Sequence, residues 1–200
     1  MEEQEYKTMI FRTPKDVYLP SDDSYMLEQY ARELKGRILE IGCGNGLVSI
    51  SNAKANPTNT VLGADINPSA VSTAEKNAEL NKVDNVLFLE SNLFENLEDE
   101  RFDAIIFNPP YLPTSEDDKV DGDLNAAFDG GKSGREVLDL FLEQFEEHLK
   151  PRGVLLILHS SLNNLEETIS KLEKLGMKTE VLAEKSFFFE KLMVLKATNS

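Results

Sequence analysis

Five short apolar runs, at residues 37–41, 60–64, 86–89, 102–107 and 154–158, constrain this chain more than any other feature. Their length and their Val, Ile, Leu and Phe content suit buried strands. Residues 47–55, 68–81 and 133–150 read as helices between them. Pro68 stands where a proline opens a helix, and Leu138, Phe141, Leu142, Phe145 and Leu149 share one helical face. Such alternation predicts an α/β fold, a doubly wound and mostly parallel sheet with helices on both faces.

The flanks complete this outline. Residues 1–18 are a polar lead-in whose one strand candidate is Met9-Ile10-Phe11. Ser21-Asp22-Asp23-Ser24 suits a helix N-cap and first turn, Leu27, Tyr30, Ala31 and Leu34 follow at helical spacing, and Gly36 closes the helix. Pro151-Arg152-Gly153 ends the helix at 133–150. Leu165, Ile169, Leu172 and Leu175 mark a last helix, and residues 177–186 and 190–197 read as two closing strands. No helix separates that pair, so this end of the sheet is expected to be antiparallel. The reading is one domain over residues 1–200, with a lead-in and helix at 1–36 and a long loop at 112–131.

Charge narrows the function. Lys and Arg number 21 against 36 Asp and Glu, a net charge of 21 − 36 = −15. Affinity for duplex nucleic acid comes largely from neutralised phosphates, which disfavours that class of partner. The single cysteine, Cys43, excludes an internal disulfide and fits a reducing cytosol. It reads as a small core residue. His148 and His159 offer no metal-ligand spacing, so no metal site is expected. The acidic start lacks a signal-peptide pattern and no run reaches membrane-spanning length, so the expected location is cytoplasmic.

The chemistry concentrates at strand ends. Asn108-Pro109-Pro110-Tyr111 follows the run at 102–107, and neither proline donates to a sheet ladder. An amide, two fixed backbone angles and an aromatic ring are left at the carboxyl end of a strand, where ligands bind in open α/β sheets. Glu40-Ile41-Gly42-Cys43-Gly44-Asn45-Gly46 joins a strand to a helix. Gly42 and Gly44 let a ligand approach the backbone, but the spacing is not the dinucleotide fingerprint. Glu40 would repel a phosphate and welcome a sulfonium or ammonium group. Asp65, ending the next strand, suits paired ribose hydroxyls. Asn92, after the third strand, suits an adenine edge. His159 reads as a strand-end residue rather than a base.

Together these residues resemble the class I S-adenosylmethionine-dependent methyltransferases, and most closely the HemK-like glutamine methyltransferases of the archaeal and eukaryotic release-factor branch. Val17-Tyr18-x-Pro20-x-x-Asp23-Ser24 resembles that branch's entry segment, and Gly130-Gly131-Lys132-Ser133-Gly134-Arg135-Glu136-Val137 resembles its later helix start. The resemblance spans nearly the whole chain, without the N-terminal substrate domain of the bacterial enzymes. It implies a seven-stranded Rossmann-like sheet with an antiparallel C-terminal strand. It also implies S-adenosylmethionine as cofactor, with Ser24, Glu40, Gly42, Asp65, Asn92, Leu93 and Asn108 around it. Two departures stand out: Asn92 replaces an aspartate common in relatives, and Phe187-Phe188-Phe189 reads as hairpin packing.

An amide nitrogen is a poor nucleophile because its lone pair is delocalised into the carbonyl. By the resemblance, the Asn108 side-chain oxygen and the Pro109 carbonyl accept the two N–H groups of a planar amine, Pro110 fixes the geometry, and Tyr111 packs on the flat group. The implied acceptor is a glutamine in a peptide chain release factor, within its Gly-Gly-Gln motif. The alternatives are an adenine amino group in DNA or RNA, a protein lysine, or a cofactor-binding scaffold without activity. Residues 112–131 hold Glu116, Asp117, Asp118, Asp121, Asp123 and Asp129 against Lys119 alone, a field that favours a basic protein surface over a phosphate chain. The family further implies a small zinc-binding activator, with the third strand at 86–89 as the candidate edge for pairing.

Overall fold

The carboxyl end of a parallel sheet organises the molecule, seen in a computed structural model that describes residues 1–113 and 128–199. A hairpin comes first, β1 (Glu2–Tyr6) and β2 (Met9–Thr13). Then follow α1 (Asp22–Ala31), β3 (Arg37–Ile41), α2 (Leu47–Ala55), β4 (Thr60–Asp65), α3 (Pro68–Leu80), β5 (Val86–Glu90) and β6 (Phe102–Phe107). The chain finishes with α4 (Glu136–His148), β7 (Leu149–Ser160), α5 (Leu165–Lys174), β8 (Lys178–Ser186) and β9 (Lys191–Thr198). Among the described residues no helix is long and apolar enough to cross a membrane.

Seven strands form one sheet in the order β5-β4-β3-β6-β7-β9-β8. β5, β4, β3, β6 and β7 run parallel, and β9 is antiparallel to both β7 and β8. This is the doubly wound, mostly parallel fold expected from the sequence, with the third strand (β5) as an edge. The winding reverses between β3 and β6, the point where open α/β sheets leave a crevice for ligands.

Neighbouring residues on each strand serve opposite faces. Ile38, Ile106 and Leu156 pack with Leu27 of α1 and Ile50 of α2. Leu39, Ile105 and Leu155 pack with Phe141 and Phe145 of α4 and Leu172 of α5. Phe107, immediately before Asn108, stacks on Phe141 with ring centroids 4.4 Å apart. The last strand residue before the Asn-Pro-Pro-Tyr turn is therefore held from below.

An additional strand, several element boundaries, a helix cap and a packing assignment differ from the sequence reading. β1 was not expected, because its exposed Glu2, Glu3 and Glu5 give no apolar signal. The first helix ends at Ala31 rather than at Gly36, and Ser21 makes no side-chain cap. α4 ends at His148, and β7 begins at Leu149 rather than at 154. Pro151 is tolerated there because the register jumps between the pairs Phe102–Leu149 and Ala104–Val154, with Arg152 at φ +61°. Phe188 and Phe189 do not pack in the β8–β9 hairpin at all; they are 91% and 86% exposed.

Asparagines fasten the first hairpin to α3 and the β3–α2 turn. Asn77 on α3 accepts from the Arg12 backbone N–H (2.9 Å) and donates to the carbonyls of Arg12 (3.0 Å) and Asn45 (2.9 Å). One buried amide thus bridges β2, α3 and the glycine-rich turn. We expect Asn77→Ala to lower unfolding free energy by about 1–3 kcal/mol, the range for leaving buried polar groups unpaired, as read from urea denaturation.

Candidate functional site

A cavity of about 510 Å³ opens at the carboxyl ends of β3, β4 and β6. That volume suits a small-molecule ligand. Gly42, Gly44, Asp65, Asn92, Leu93, Asn108, Pro109, Pro110 and Tyr111 all line it, so the fold unites these residues from four separate strand ends. Ser24 and Glu40 do not line the main cavity. They face an adjoining recess of about 30 Å³, which shares Tyr18, Gly42, Gly44 and Asn108 with it.

The glycine turn is built for close approach. Gly42 and Gly44 sit at φ +67° and +54°, a region that L side chains rarely enter. A Cβ on Gly44 would meet nothing within 4 Å and would project into open space. The Gly44 N–H donates to Asp65 Oδ2 at 2.8 Å, and the Asn67 N–H donates to Oδ1 at 2.9 Å. Burial raises the Asp65 carboxyl above its ordinary value, and the backbone donors oppose that rise. Each oxygen keeps lone-pair capacity toward the cavity.

Glu40 is buried, and its Oε2 accepts from the Ser49 N–H at 2.8 Å and from the Ser49 hydroxyl. Burial pushes its carboxyl up to about 8, against the lowering effect of Ser49 and with the Asp65 charge adding to the rise. A buried acid beside a recess is complementary to a cation. Cys43 is also buried, and burial pushes its thiol well up, which suits a packing residue and not a nucleophile.

Asn108 is the most informative side chain. Its Nδ2 donates to Asp23 Oδ2 at 3.0 Å, while its Oδ1 is buried without a hydrogen-bond partner. A carboxylate only accepts, so Asp23 fixes which face of the amide turns toward it and leaves the acceptor oxygen for something else. Buried acceptors are seldom left unpaired. Asp23 is itself held, receiving the Tyr18 hydroxyl at 2.9 Å on Oδ2 and the Ser24 N–H at 2.6 Å on Oδ1. Burial first, and the Asp23 charge second, raise the Tyr18 phenol, keeping it a proton donor.

The remaining expectations divide. Asn92 lines the cavity but is exposed, with its Nδ2 donating to Glu95 Oε1 at 3.0 Å, which turns its oxygen the other way. Leu93 sits at φ +49°. His159 is buried between the Ser160 carbonyl (2.8 Å) and Thr168 Oγ1 (2.9 Å), and burial lowers its pKa to about 4. It is a neutral structural residue, as the sequence suggested. Of the acidic segment 112–131, residues 114–127 lie outside the described residues, including Glu116, Asp117, Asp118, Lys119, Asp121 and Asp123. The segment's two ends reach the cavity: Leu112, Phe128 and Asp129 line it, and Leu112 is bridged to Asp129.

A glycine cradle, paired carboxylates with no Lys or Arg among the described lining residues, and an orphaned amide acceptor fit a cationic nucleoside beside a planar N–H donor. The model of the methyltransferase small domain family matches residues 22–189. The chain belongs to this family. It is 51% identical over 183 residues to a protein of Methanocaldococcus jannaschii named as an N5-glutamine methyltransferase, covering 91% of each chain. Human methyltransferase HEMK2 is 34% identical over 195 residues, covering 92% of this chain and 91% of that one. Among solved structures, the E. cuniculi Mtq2–Trm112 complex, described as responsible for methylation of the eRF1 translation termination factor, has a chain superposing with a TM-score of 0.73. That match is 26% identical and covers 92% of this chain and 99% of the other.

This methyltransferase therefore carries a positioning residue that sequence reading did not foresee. Asp23 was read as an acid in a first helical turn and as part of the Val17–Ser24 entry segment, without a role of its own; its spacing of five from Tyr18 within that segment is the signal that links it to the site. We expect Asp23→Ala to free the Asn108 amide to rotate. Methyl transfer should fall at least about tenfold, the consequence of losing one charged hydrogen bond, while equilibrium cofactor binding changes little. Turnover measured beside calorimetric cofactor titration checks this.

Proposed function

We propose that this methyltransferase binds S-adenosylmethionine in the 510 Å³ cavity and methylates the side-chain amide nitrogen of a glutamine in a peptide chain release factor. The observation that carries the reading is the buried, partnerless Asn108 Oδ1, held in place through Asp23. The names of the archaeal relative and of the Mtq2–Trm112 complex support it.

When bound, the cofactor supplies an activated methyl group on a sulfonium. Asp65 receives the ribose hydroxyls, Asn92 and Leu93 border the base, and Gly42 and Gly44 let the nucleoside lie against the turn. Ser24 and Glu40 receive the amino-acid end, where the Glu40 carboxylate meets an ammonium. Asn108 Oδ1 and the Pro109 carbonyl accept the two N–H groups of the substrate amide. Pro110 stiffens the turn, and Tyr111 packs on the planar group. The substrate nitrogen would form the new bond to the methyl carbon as the sulfonium sulfur–methyl bond breaks and leaves a neutral thioether, and one N–H proton would pass to solvent. Positioning supplies most of the rate gain, worth about 7–11 kcal/mol in well-oriented systems.

A second macromolecule fits the opposite side of the sheet. β5 is an edge strand, and Leu87 on it is 67% exposed. An apolar edge invites strand pairing, and we assign it to a small activator subunit, zinc-binding as the resemblance implies; that the Mtq2 relative is found in a complex with Trm112 supports a partner.

The decisive assay offers tritiated S-adenosylmethionine with an archaeal release factor and, separately, adenine-containing oligonucleotides, with and without activator. Label on the release factor that vanishes when the motif glutamine is replaced supports the reading. Label only on the oligonucleotide makes the enzyme an adenine-amino methyltransferase. Asn108→Ala should reduce transfer by about 100-fold or more, the scale for one lost transition-state hydrogen bond. Asp65→Ala should instead weaken cofactor binding by about 10–100-fold, as for a hydrogen bond to a charged group. Below about 8 the unliganded Glu40 carboxyl is mostly protonated, so pairing it with an ammonium must expel that proton. Calorimetry at pH 6.5 in buffers of different ionisation enthalpy should detect proton release on binding, absent in Glu40→Gln.

A further inference from the structure

Phe188 and Phe189 are the most exposed large apolar side chains among the described residues. They occupy the tip between β8 and β9, where the Phe187 N–H donates to the Glu190 carbonyl at 2.7 Å. Tight hairpin tips favour Gly, Asn and Asp, yet these two rings are 91% and 86% exposed. Among the described residues their ring contact is with each other, edge to face at 4.5 Å.

The hairpin is fixed beside the cavity. β9 is antiparallel to β7 with Ser160 opposite Leu192, so the tip projects beyond the carboxyl ends of the parallel strands, the end that holds Asp65 and Asn108. β9 is two strands from β6, a lateral offset of about 10 Å at ordinary strand spacing. Its base is pinned on both sides. Lys185 pairs with Asp22 at 2.8 Å, next to Asp23, and Ser160 donates to Glu190 at 2.9 Å. The Lys191 N–H donates to Ser161 Oγ at 2.9 Å, in the same turn from which Asn163 donates to the Tyr111 carbonyl at 2.9 Å. The Glu190 charge also contributes to raising the Tyr18 and Tyr111 phenols, as its nearness to the cavity requires.

We propose that Phe188 and Phe189 form an apolar prong that seats in a hydrophobic depression of the protein substrate, next to the side chain delivered into the cavity. The proposal rests on the glutamine reading above and names the surface that selects its protein. The prong stands at the same end of the sheet as the cavity, about two strand spacings from β6, within reach of a macromolecule that delivers a side chain to Asn108. The hairpin base sets Glu184 and Glu190 against Lys185 and Lys191, with Lys191 paired to Glu184 and Lys185 to Asp22, so it offers no free basic patch, and the chain's charge of −15 opposes a phosphate backbone. Two rings set edge to face also offer no stacked platform for successive bases.

The test compares wild type with the double variant F188S/F189S on two substrates, an intact archaeal release factor and a ten-residue peptide containing Gly-Gly-Gln. Because both positions are exposed, the variant should melt with wild type. KM for the intact protein should rise at least about tenfold, as for loss of an aromatic anchor, with kcat, cofactor affinity and activity on the peptide unchanged. F188L/F189L should restore most of the loss. An unchanged KM for the intact protein overturns the proposal, as does an equal loss on peptide and protein, which would place the defect in the cavity. Lost affinity for an oligonucleotide alone would make the prong a base-stacking element. Sedimentation showing a wild-type dimer that the variant abolishes, with KM unchanged, would give the prong to a second copy. If the wild type labels no release factor while the peptide is methylated, only this proposal fails; if neither is labelled, the glutamine reading itself falls.

Discussion

The bond from Asn108 to Asp23 sets the working face of this molecule. An amide side chain has a donor end and an acceptor end of nearly identical shape, and in isolation it can present either. A carboxylate removes the ambiguity because it has nothing to donate. With Nδ2 committed to Asp23, Oδ1 becomes a fixed acceptor in a buried position. Everything else at the site is arranged around keeping that pair in register. Tyr18 and the Ser24 N–H hold the carboxylate, and Phe141 holds Phe107 beneath the turn. The two partners are 85 residues apart, so the contact also ties the entry segment to the centre of the sheet.

That separation explains what the sequence could and could not reveal. The central strands β3, β6 and β7 were legible because each carries a run of apolar side chains buried on both faces, and such runs have few other uses. The glycine turn, Asp65 and Asn108 were legible because parallel strands all end on one side, so strand-terminal polar residues must converge. Asp23 escaped because it belongs to a helix start, where an acid already has a local explanation. β1 escaped because Glu2, Glu3 and Glu5 are exposed and break any apolar run, whereas its partner β2 buries Met9 and Phe11 and left a trace. Ser24 and Glu40 were assigned to the same site as the others, and the structure sets them apart in their own recess. A distinction of a few ångströms between neighbouring cavities has no linear signature. The phenylalanine run misled for the opposite reason: three consecutive aromatics look like core, and only the hairpin's position beyond the sheet puts two of them in solvent.

The two edges of the sheet differ in kind. β5 presents backbone and Leu87 on the nucleotide side, a surface that another strand can extend. β8 and β9 present a closed hairpin whose tip reaches past the sheet on the acceptor side. One catalytic crevice thus lies between a pairing edge and a projecting edge, and contacts at either are free of the chemistry at β3, β4 and β6.

The bridge between Leu112 and Asp129 bears on how this family could vary. The Leu112 N–H donates to the Phe128 carbonyl at 3.2 Å, and the Gly130 N–H donates to the Leu112 carbonyl at 3.0 Å. The chain therefore leaves the cavity wall and returns to it at almost the same point. Closing a loop whose ends are already clamped grows dearer only logarithmically, by about 0.6 kcal/mol for each doubling of length. Evolution could lengthen, shorten or rewrite the intervening stretch without moving Tyr111 or Pro110. The clamp acts as a socket: it holds Pro110 and Tyr111 at the cavity wall whatever the length of chain between its two ends.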